Sequence, residues 1–252
     1  MEQLIQRHNS MVARTPVQFR RYMYNKIDWS NRMIGLTGPR GVGKTTLVLQ
    51  RIKQQLQGEK VLYVNMEDFY FTTHRLVDFA GQLSKRGYKY LFADEIHRYP
   101  DWSKELKLIY DYYPDLCVVF TGSSVLDIRK GVSDLSRRAV MYHMQGLSFR
   151  EYLEYAHGIV VPVHSLEQIL QQNAEVGAIE HPLAYFAEYL HNGYYPFASE
   201  SGYIEKLKQI VSMSVDADIP AFAMMSYAVA YKLKRLLSII AESVPFKPNM
   251  SK

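Results

Sequence analysis

The fold is decided by one stretch of the sequence, Gly38-Pro39-Arg40-Gly41-Val42-Gly43-Lys44-Thr45-Thr46. It fits the pattern G-x-x-x-x-G-K-[ST], in which a glycine-rich backbone wraps around the oxygens of a phosphate group. The apolar run before it, residues 33–37, is typical of a buried strand, and residues 45–57 carry apolar side chains at helical spacing. A loop between a strand and a helix directs the positive end of the helix at a bound anion. We call residues 38–46 the P-loop.

The P-loop predicts a site for a nucleotide and an accompanying metal ion. Its three glycines allow the backbone N–H groups to turn inward around phosphate oxygens. Lys44 is placed to reach the β- and γ-phosphates of ATP, and the hydroxyl of Thr45 is placed to bind Mg²⁺. The predicted nucleotide-binding residues are Gly38, Pro39, Arg40, Gly41, Val42, Gly43, Lys44, Thr45 and Thr46.

The composition is that of an ordinary globular protein. The 252 residues suffice for one large or two small domains, and the net charge of +5 permits a nucleic-acid partner without favouring one. Cys117 is the only cysteine, which excludes an intrachain disulfide and favours a reducing compartment. No signal peptide opens the sequence, and the longest apolar stretch, residues 219–231, is too short to span a bilayer. We therefore expect a cytoplasmic protein without a membrane partner.

Two acidic residues end an apolar, strand-like run at residues 88–95. The carboxyl ends of parallel strands meet at the edge of the sheet where ligands bind, so this pair should lie beside the P-loop. Asp94 is predicted to hold Mg²⁺, mostly through water, because Mg²⁺ gives up its water shell reluctantly. Glu95 is predicted to orient and activate the attacking water as a general base. Glu67, which also ends a predicted strand, is the alternative base.

Polar residues also end the fourth predicted strand, residues 116–120. A hydroxyl at this position commonly contacts the γ-phosphate or the attacking water. We predict this sensor at Ser123 or Ser124, with Thr121 as a third candidate, although Ser124 alternatively caps the next helix. His97, in the loop after the acidic pair, is interpreted either as a γ-phosphate sensor or as a loop histidine bound to backbone.

A pair of arginines precedes the last predicted strand, residues 139–143. Arg137 and Arg138 occupy the position where an arginine finger would stabilise charge on the transferring phosphoryl group. The same pair also fits a solvated basic loop or a contact with nucleic-acid phosphates. The predicted catalytic residues are therefore Lys44, Glu95, Ser123, Arg137 and Arg138.

Five short apolar strands separated by helices predict a parallel sheet with helices on both faces. The acidic pair comes two strands after the P-loop, which indicates an inserted strand between the P-loop strand and the strand of the acidic pair, as in ASCE-type ATPases. Nucleoside kinases also carry a P-loop, but the terminal Asp-Glu pair fits them less well. Two GTPase-like motifs are interpreted as coincidental. Asn25-Lys26-Ile27-Asp28 precedes the P-loop instead of following a later strand, and Asp78-Phe79-Ala80-Gly81 lies inside a helical pattern.

From Ser148 onward the strand signals end and only helical patterns follow. We predict a P-loop ATPase core at residues 1–157, which includes a short helical N-terminal extension. Residues 158–252 are predicted to form an all-helical lid. The last residues, 245–252, are typical of the opening of a further helix, so we expect the natural chain to continue beyond them.

Together these residues resemble a family of prokaryotic AAA-type P-loop ATP-binding proteins. The matching segments are GPRGVGKTT, YLFADEIHRYPDW, VVFTGSS, DLSRRAV and GLSFREYL, which cover about residues 31–157. The resemblance implies an ATPase and carries over the roles of Lys44, Thr45, Asp94 and Glu95. The sensor and finger roles that it implies fall on Ser123, Ser124, Arg137 and Arg138.

In similar proteins the ATPase core is followed by a winged-helix segment and a C-terminal domain of unknown role. Both are expected to be missing from this chain, which the resemblance therefore marks as truncated. The missing winged helix is the part through which a DNA partner would be bound.

We expect Mg-dependent ATP binding and hydrolysis, coupled to a conformational change that acts on an unknown partner or on a neighbouring subunit of a homo-oligomer. One alternative is a slow nucleotide-gated regulatory switch, which would use the same residues. Another is a nucleic-acid-binding module with a secondary nucleotide site. The intact set of Lys44, Asp94 and Glu95 argues against that module.

Overall fold

The computed structural model describes residues 1–122, 135–171, 179–218 and 227–243. The chain divides into two compact units, Met1–Glu200 and Ser201–Lys252. The first unit contains the whole sheet and the P-loop, so it carries the candidate site.

The first unit is built on a five-stranded parallel sheet in the order β2-β3-β4-β1-β5. The strands are β1 (Met33–Thr37), β2 (Val61–Asn65), β3 (Tyr90–Asp94), β4 (Cys117–Gly122) and β5 (Val140–His143). This sheet with its flanking helices confirms the predicted α/β fold class. The predicted inserted strand is also present, because β4 lies between β1, which leads into the P-loop, and β3, which ends in Asp94.

Eleven α-helices are described, with short 3-10 turns at Ile96–Arg98 and Pro196–Ser199. Those of the first unit are α1 (Glu2–Arg14), α2 (Met23–Lys26), α3 (Lys44–Gln55), α4 (Tyr70–Thr73), α5 (Leu76–Lys85), α6 (Trp102–Tyr112), α7 (Phe149–His157), α8 (Leu166–Leu170) and α9 (Pro182–Asn192). The second unit contains α10 (Tyr203–Met213) and α11 (Tyr227–Glu242), with a π-helical segment at Ser214–Asp218. Among the described residues after β5, the regular elements are all helical.

Two hydrophobic cores form on opposite faces of the sheet. In β3, Leu91 and Ala93 belong to the core under α5 and α6, whereas Phe92 belongs to the core under α3. This alternation follows from the period of two along a strand, which sends successive side chains to opposite faces. Because both faces are covered, the strands read as continuous apolar runs, the pattern of a parallel sheet.

The helical stretch between β2 and β3 consists of two helices, α4 and α5, with a break at His74 and Arg75. Side chains from other parts of the chain satisfy the first N–H groups of α5. The hydroxyl of Tyr99 accepts from Leu76 N at 3.1 Å, and the carboxylate of Glu105 accepts from Val77 N at 2.9 Å. Since these caps are distant in sequence, local periodicity did not show where the helix restarts.

The helical residues after β5 begin against the core of the first unit. The α7 helix starts with a capping box in which Ser148 and Glu151 bond reciprocally to each other's backbone N–H. Its Phe149 ring lies 5.2 Å from the ring of Phe186 in α9, and the Tyr189 hydroxyl of α9 donates to Leu147 O at 2.8 Å. These contacts place α9 in the first unit, on the C-terminal side of the predicted boundary between residues 157 and 158.

No helix in the described ranges combines the length and the apolar character needed to cross a bilayer.

The N-terminal helix α1 covers the edge strand β2. The buried ring of His8 accepts a hydrogen bond from Tyr63 N through Nδ1, at 3.0 Å, so it satisfies a backbone group that an edge strand leaves open. From α3, the Lys53 ammonium donates to Ala13 O and Thr15 O, each at 2.8 Å. The α1 helix is therefore anchored to both the sheet edge and α3.

This anchoring predicts a loss of stability in acid. Burial lowers the pKa of His8 from its ordinary value of 6.5, so the unfolded chain takes up a proton that the folded chain resists. The free energy of unfolding should therefore fall as the pH decreases below 6.5. A His8→Gln variant keeps an acceptor for Tyr63 N but does not titrate, and its stability should fall less between pH 7 and pH 5 in urea unfolding.

The control for this prediction is His74→Gln, at an exposed ring stacked on Tyr70. This variant should retain the pH dependence of the wild type. Equal pH dependence in His8→Gln and wild type would contradict the assignment.

Candidate active site

The P-loop adopts backbone conformations that favour glycine. Gly38, Gly41 and Gly43 have φ values of 150°, 79° and 96°. At Gly38 a Cβ atom would lie only 2.1 Å from the backbone oxygen of Met144, so the segment that contains Met144 leaves no space for a side chain. Gly43 immediately precedes α3 and directs the first N–H groups of that helix toward the space enclosed by the loop.

Lys44 lies folded over the P-loop, with a side chain that is almost fully buried. Its Nζ donates to the carbonyls of Gly38 at 2.9 Å and Pro39 at 2.7 Å. Burial lowers the pKa of Lys44 to about 8, while the nearby charges of Glu95 and Asp94 oppose this shift. The ammonium is therefore a poorly hydrated cation at the mouth of the loop, where an added anion would stabilise it.

Asp94 lies at the centre of the site and is only 3% exposed. Its Oδ2 accepts hydrogen bonds from the hydroxyls of Thr45 at 2.8 Å and Tyr63 at 2.7 Å, and its Oδ1 accepts one from the hydroxyl of Thr121. Burial raises the pKa of Asp94, and these three bonds oppose that rise because they stabilise the carboxylate. One buried carboxylate thus joins α3, β2 and β4.

The donor atoms of Thr45 and Asp94 fit the predicted magnesium ion. Mg²⁺ prefers oxygen ligands, is commonly held through one or two carboxylates, and completes its shell with water and substrate phosphates. The hydroxyl of Thr45 and the carboxylate of Asp94 supply this kind of oxygen at the end of the P-loop. Within the described ranges no group of three or more His, Cys, Asp or Glu side chains forms a separate metal site.

Glu95, the predicted base, follows directly in a left-handed backbone conformation with φ of 55°. This conformation is uncommon for residues other than glycine and is typical of functional sites. The backbone N–H of Glu95 donates to Thr121 Oγ1 at 3.2 Å, and its carboxylate lies 3.5 Å from the buried ring of His97. The structure thus turns His97 toward the predicted base. The alternative base, Glu67, pairs on the surface with Arg98 at 3.2 Å.

The predicted sensors Ser123 and Ser124 lie outside the described residues. The third candidate, Thr121, is fully buried in β4 and uses its hydroxyl to bridge Asp94 and the backbone of Glu95. Thr121 therefore links the predicted metal ligand to the predicted base.

The predicted arginine pair lies away from the P-loop of its own chain. Val140 pairs with Ile34 in the parallel register of β5 and β1, so Arg137 and Arg138 precede the amino end of the sheet. The P-loop follows the carboxyl end, about 15 Å away along the strands. Arg138 makes a bidentate ion pair with Asp111, with both contacts at 3.0 Å, and Arg137 is exposed.

A cavity of about 490 Å³ opens beside the P-loop. Its walls combine glycine backbone with aromatic side chains, a combination suited to a flat heterocyclic ring next to phosphates. The lining includes Phe19, Gly41, Gly43, Thr46, Tyr155 and Phe197. The segment before β1 thus forms part of the wall of this cavity.

Tyr63 is a site residue that sequence reasoning missed. It lies in an apolar strand, where an aromatic side chain indicates only core packing, and its ring does belong to the core under α3. Only the pairing of β2 with β3 brings its hydroxyl to Asp94. The local sequence carries no signal that would have distinguished this tyrosine from the other core aromatics.

The bond between Tyr63 and Asp94 predicts a cost of about 1–2 kcal/mol in the free energy of unfolding for Tyr63→Phe, because a buried carboxylate loses a donor. The matched control is Tyr24→Phe, since the buried hydroxyl of Tyr24 has no hydrogen-bond partner among the described residues. That variant should be neutral or slightly stabilised. Urea unfolding at constant m-value measures both, and equal losses would contradict the assigned role.

Comparison with known proteins agrees with this geometry. A family model described as an AAA domain matches residues 30–153. The uncharacterized protein MJ1637 of Methanocaldococcus jannaschii is 28% identical over 266 residues, which cover 90% of this chain and 56% of that protein. The chain therefore spans little more than half the length of this relative.

Solved structures with a partial likeness include the Walker-type ATPase PABY2304 of Pyrococcus abyssi, with a TM-score of 0.45, 13% identity and coverage of 89% of this chain and 77% of that one. PCH-2 of C. elegans gives a TM-score of 0.46, 17% identity and coverage of 84% and 60%. AMPPCP-bound DnaA from Aquifex aeolicus gives a TM-score of 0.35 and 13% identity. The match covers 82% of this chain and 69% of that one.

The assignment rests on the family match together with the sheet and P-loop described above. Residues 30–153 of this chain are therefore similar to an AAA domain, and they contain the parallel sheet and the P-loop.

Proposed function

We propose that this chain binds ATP together with Mg²⁺ and hydrolyses it. The observation that carries the proposal is the contact at 2.8 Å between Thr45 of the P-loop and the buried carboxylate of Asp94. It joins a phosphate-binding loop to a magnesium ligand, with Glu95 as the next residue along the chain.

Each residue of the site has a proposed task. The backbone N–H groups of the P-loop and the Lys44 ammonium bind the phosphate oxygens. To do so, Lys44 Nζ gives up its hydrogen bonds to the carbonyls of Gly38 and Pro39 and donates to the phosphate oxygens in their place. Thr45 and Asp94 would hold Mg²⁺, which would supply positive charge to stabilise the phosphates of ATP. The Glu95 carboxylate takes a proton from the attacking water, whose oxygen forms the new bond to the γ-phosphorus. The bond from that phosphorus to ADP then breaks.

The cavity beside the P-loop supports adenine as the proposed base. Phe19 comes from the segment before β1, whereas Tyr155 belongs to α7 and Phe197 to the turn after α9. A base in this cavity would contact the N-terminal segment and the helical region together. We propose that nucleotide binding and hydrolysis move these parts relative to the P-loop, and that this movement acts on a partner.

Two substitutions separate binding from chemistry. Lys44→Ala should abolish nucleotide binding or nearly do so, because it removes the cation at the mouth of the loop. Glu95→Gln should retain ATP binding and lower kcat by roughly 10²–10⁴-fold, because it removes the general base. Binding of a fluorescent ATP analogue and release of phosphate with Mg²⁺ measure the two effects.

The matched control is Glu67→Gln, which removes the alternative base while leaving Asp94 and Glu95 in place. It should hydrolyse ATP like the wild type. If Glu95→Gln hydrolyses at the wild-type rate and Glu67→Gln does not, the base is Glu67. Tight ATP binding with almost no wild-type turnover would favour a slow nucleotide-gated switch, which needs the same contacts.

A finger role for Arg137 or Arg138 requires a second copy of the chain, because both lie at the edge of the sheet opposite their own P-loop. We propose that they act on the site of a neighbouring copy in a homo-oligomer. Arg137 is exposed and so could reach a neighbouring copy directly, whereas Arg138 must first release its ion pair with Asp111.

This proposal predicts complementation between two inactive variants. Glu95→Gln has intact arginines, and the double variant Arg137→Ala/Arg138→Ala has an intact site, so their mixture should regain hydrolysis that neither shows alone. Loss of a finger lowers kcat by roughly 10³-fold or more. Phosphate release across protein concentration is the measurement, and wild-type rates in the arginine variant at every concentration would overturn the finger role.

A further inference from the structure

We infer that Arg21 is a positioning residue of the P-loop, whose guanidinium holds the carbonyl of Val42 and thereby directs the N–H of Gly43 toward bound phosphate. This inference rests on the proposed function for its consequence, weaker ATP binding when Arg21 is lost. The orientation of the loop itself does not depend on that function.

Arg21 comes from the N-terminal segment before β1 and is 7% exposed. Its Nη1 donates to Val42 O at 2.5 Å. Its Nη2 donates to the backbone oxygens of Gln145 at 2.9 Å and Gly146 at 2.8 Å, just beyond β5. Its Nε donates to the carboxylate of Glu151 at 2.8 Å. Because four partners hold one planar group, the position of the guanidinium is over-determined.

The contact with Val42 fixes the direction of a whole peptide unit. A trans peptide bond is planar, and its C=O and the next N–H point to opposite sides. If Arg21 holds the oxygen of Val42 on the outside of the P-loop, the N–H of Gly43 must point to the inside. Gly43 has a positive φ of 96°, a region in which a loop glycine could otherwise turn this peptide freely. The guanidinium therefore restricts the rotation of this peptide, which the glycine alone would permit.

The charge of Arg21 is neutralised within the protein. Glu151 is buried and also accepts from Tyr22 N at 2.8 Å and Ser148 N at 3.0 Å. Burial alone would raise the pKa of Glu151, but the bonds from Arg21 and the backbone hold that pKa below its ordinary value. Because protein groups take up the charge and the donors of this guanidinium, it orients the loop and does not act as a direct phosphate ligand.

The neighbouring Arg20 shows that a basic residue in this segment does not by itself reach the loop. Its guanidinium lies over the Tyr24 ring at 4.3 Å and contacts Gln54 of α3. The two adjacent arginines thus have different partners, and only the bonds of Arg21 include the P-loop.

The test compares two variants that both lack the buried ion pair. Glu151→Gln keeps the bond between Arg21 and Val42, whereas the double variant Arg21→Met/Glu151→Gln loses it. We expect Glu151→Gln to bind a fluorescent ATP analogue within about threefold of wild type and the double variant to bind roughly tenfold more weakly, the loss typical of a bond from a charged donor. The kcat at saturating ATP should change less than KM.

A second measurement does not require nucleotide. In the nucleotide-free protein, ¹⁵N relaxation of the Gly43 amide should report a rigid N–H in Glu151→Gln and a more mobile one in the double variant. The Gly35 amide in β1 serves as the internal reference, since general loosening of the fold would affect both. If the double variant does not fold, Arg21→Lys replaces it, because one ammonium cannot hold all four partners.

The outcomes separate the two proposals. Equal Gly43 mobility in both variants would overturn the positioning role, as would equal affinity for the nucleotide analogue. If the wild type binds no nucleotide but Gly43 is mobile only in the double variant, the proposed ATPase function fails and the positioning role stands. A similar loss of stability in both variants, with the difference confined to Gly43 and to affinity, supports the role.

Discussion

The structure depends on one buried carboxylate that must remain hydrogen-bonded. Asp94 is nearly inaccessible to water, and an unpaired charge in such a place would be strongly destabilising. Three hydroxyls, from α3, β2 and β4, compensate for the lost water. This constraint requires β3 to end beside both β2 and β4, with the start of α3 close by. The strand order satisfies that requirement, and the candidate active site follows from it.

A second constraint is the close approach of two chain segments at the base of the P-loop. Gly38 passes so near the backbone of Met144 that a methyl group would not fit, and Arg21 bonds to both Val42 and the residues just after Met144. The loop is thus held by the segment before β1 on one side and by the segment after β5 on the other. The P-loop is therefore ordered during folding, so ATP binding would not have to supply the entropic cost of ordering it.

The same arrangement relates the N-terminal segment and the helical region to the nucleotide site. Residues before β1 line the cavity beside the P-loop, contact its backbone and bond to the first turn of α7 through Glu151. A conformational change in the P-loop would therefore be transmitted directly to the start of the helical region through these contacts. At the opposite edge of the sheet, Arg138 is held by Asp111, away from the P-loop of its own chain.

The sequence by itself determined the α/β class, the five strands, the P-loop and the positions of Asp94 and Glu95, because each depends on local periodicity or on a motif with fixed spacing. Only the tertiary structure decided the contacts of Tyr63 and Arg21, the capping of α5 by Tyr99 and Glu105, and the distance of Arg138 from its own P-loop. These features depend on which residues far apart in the chain become neighbours. The sequence of an apolar strand does not show whether its tyrosine only packs in the core or also bonds to a site residue. The same is true of an arginine that precedes a loop. Burial creates the difference, since a polar atom removed from water must find a partner wherever the fold provides one.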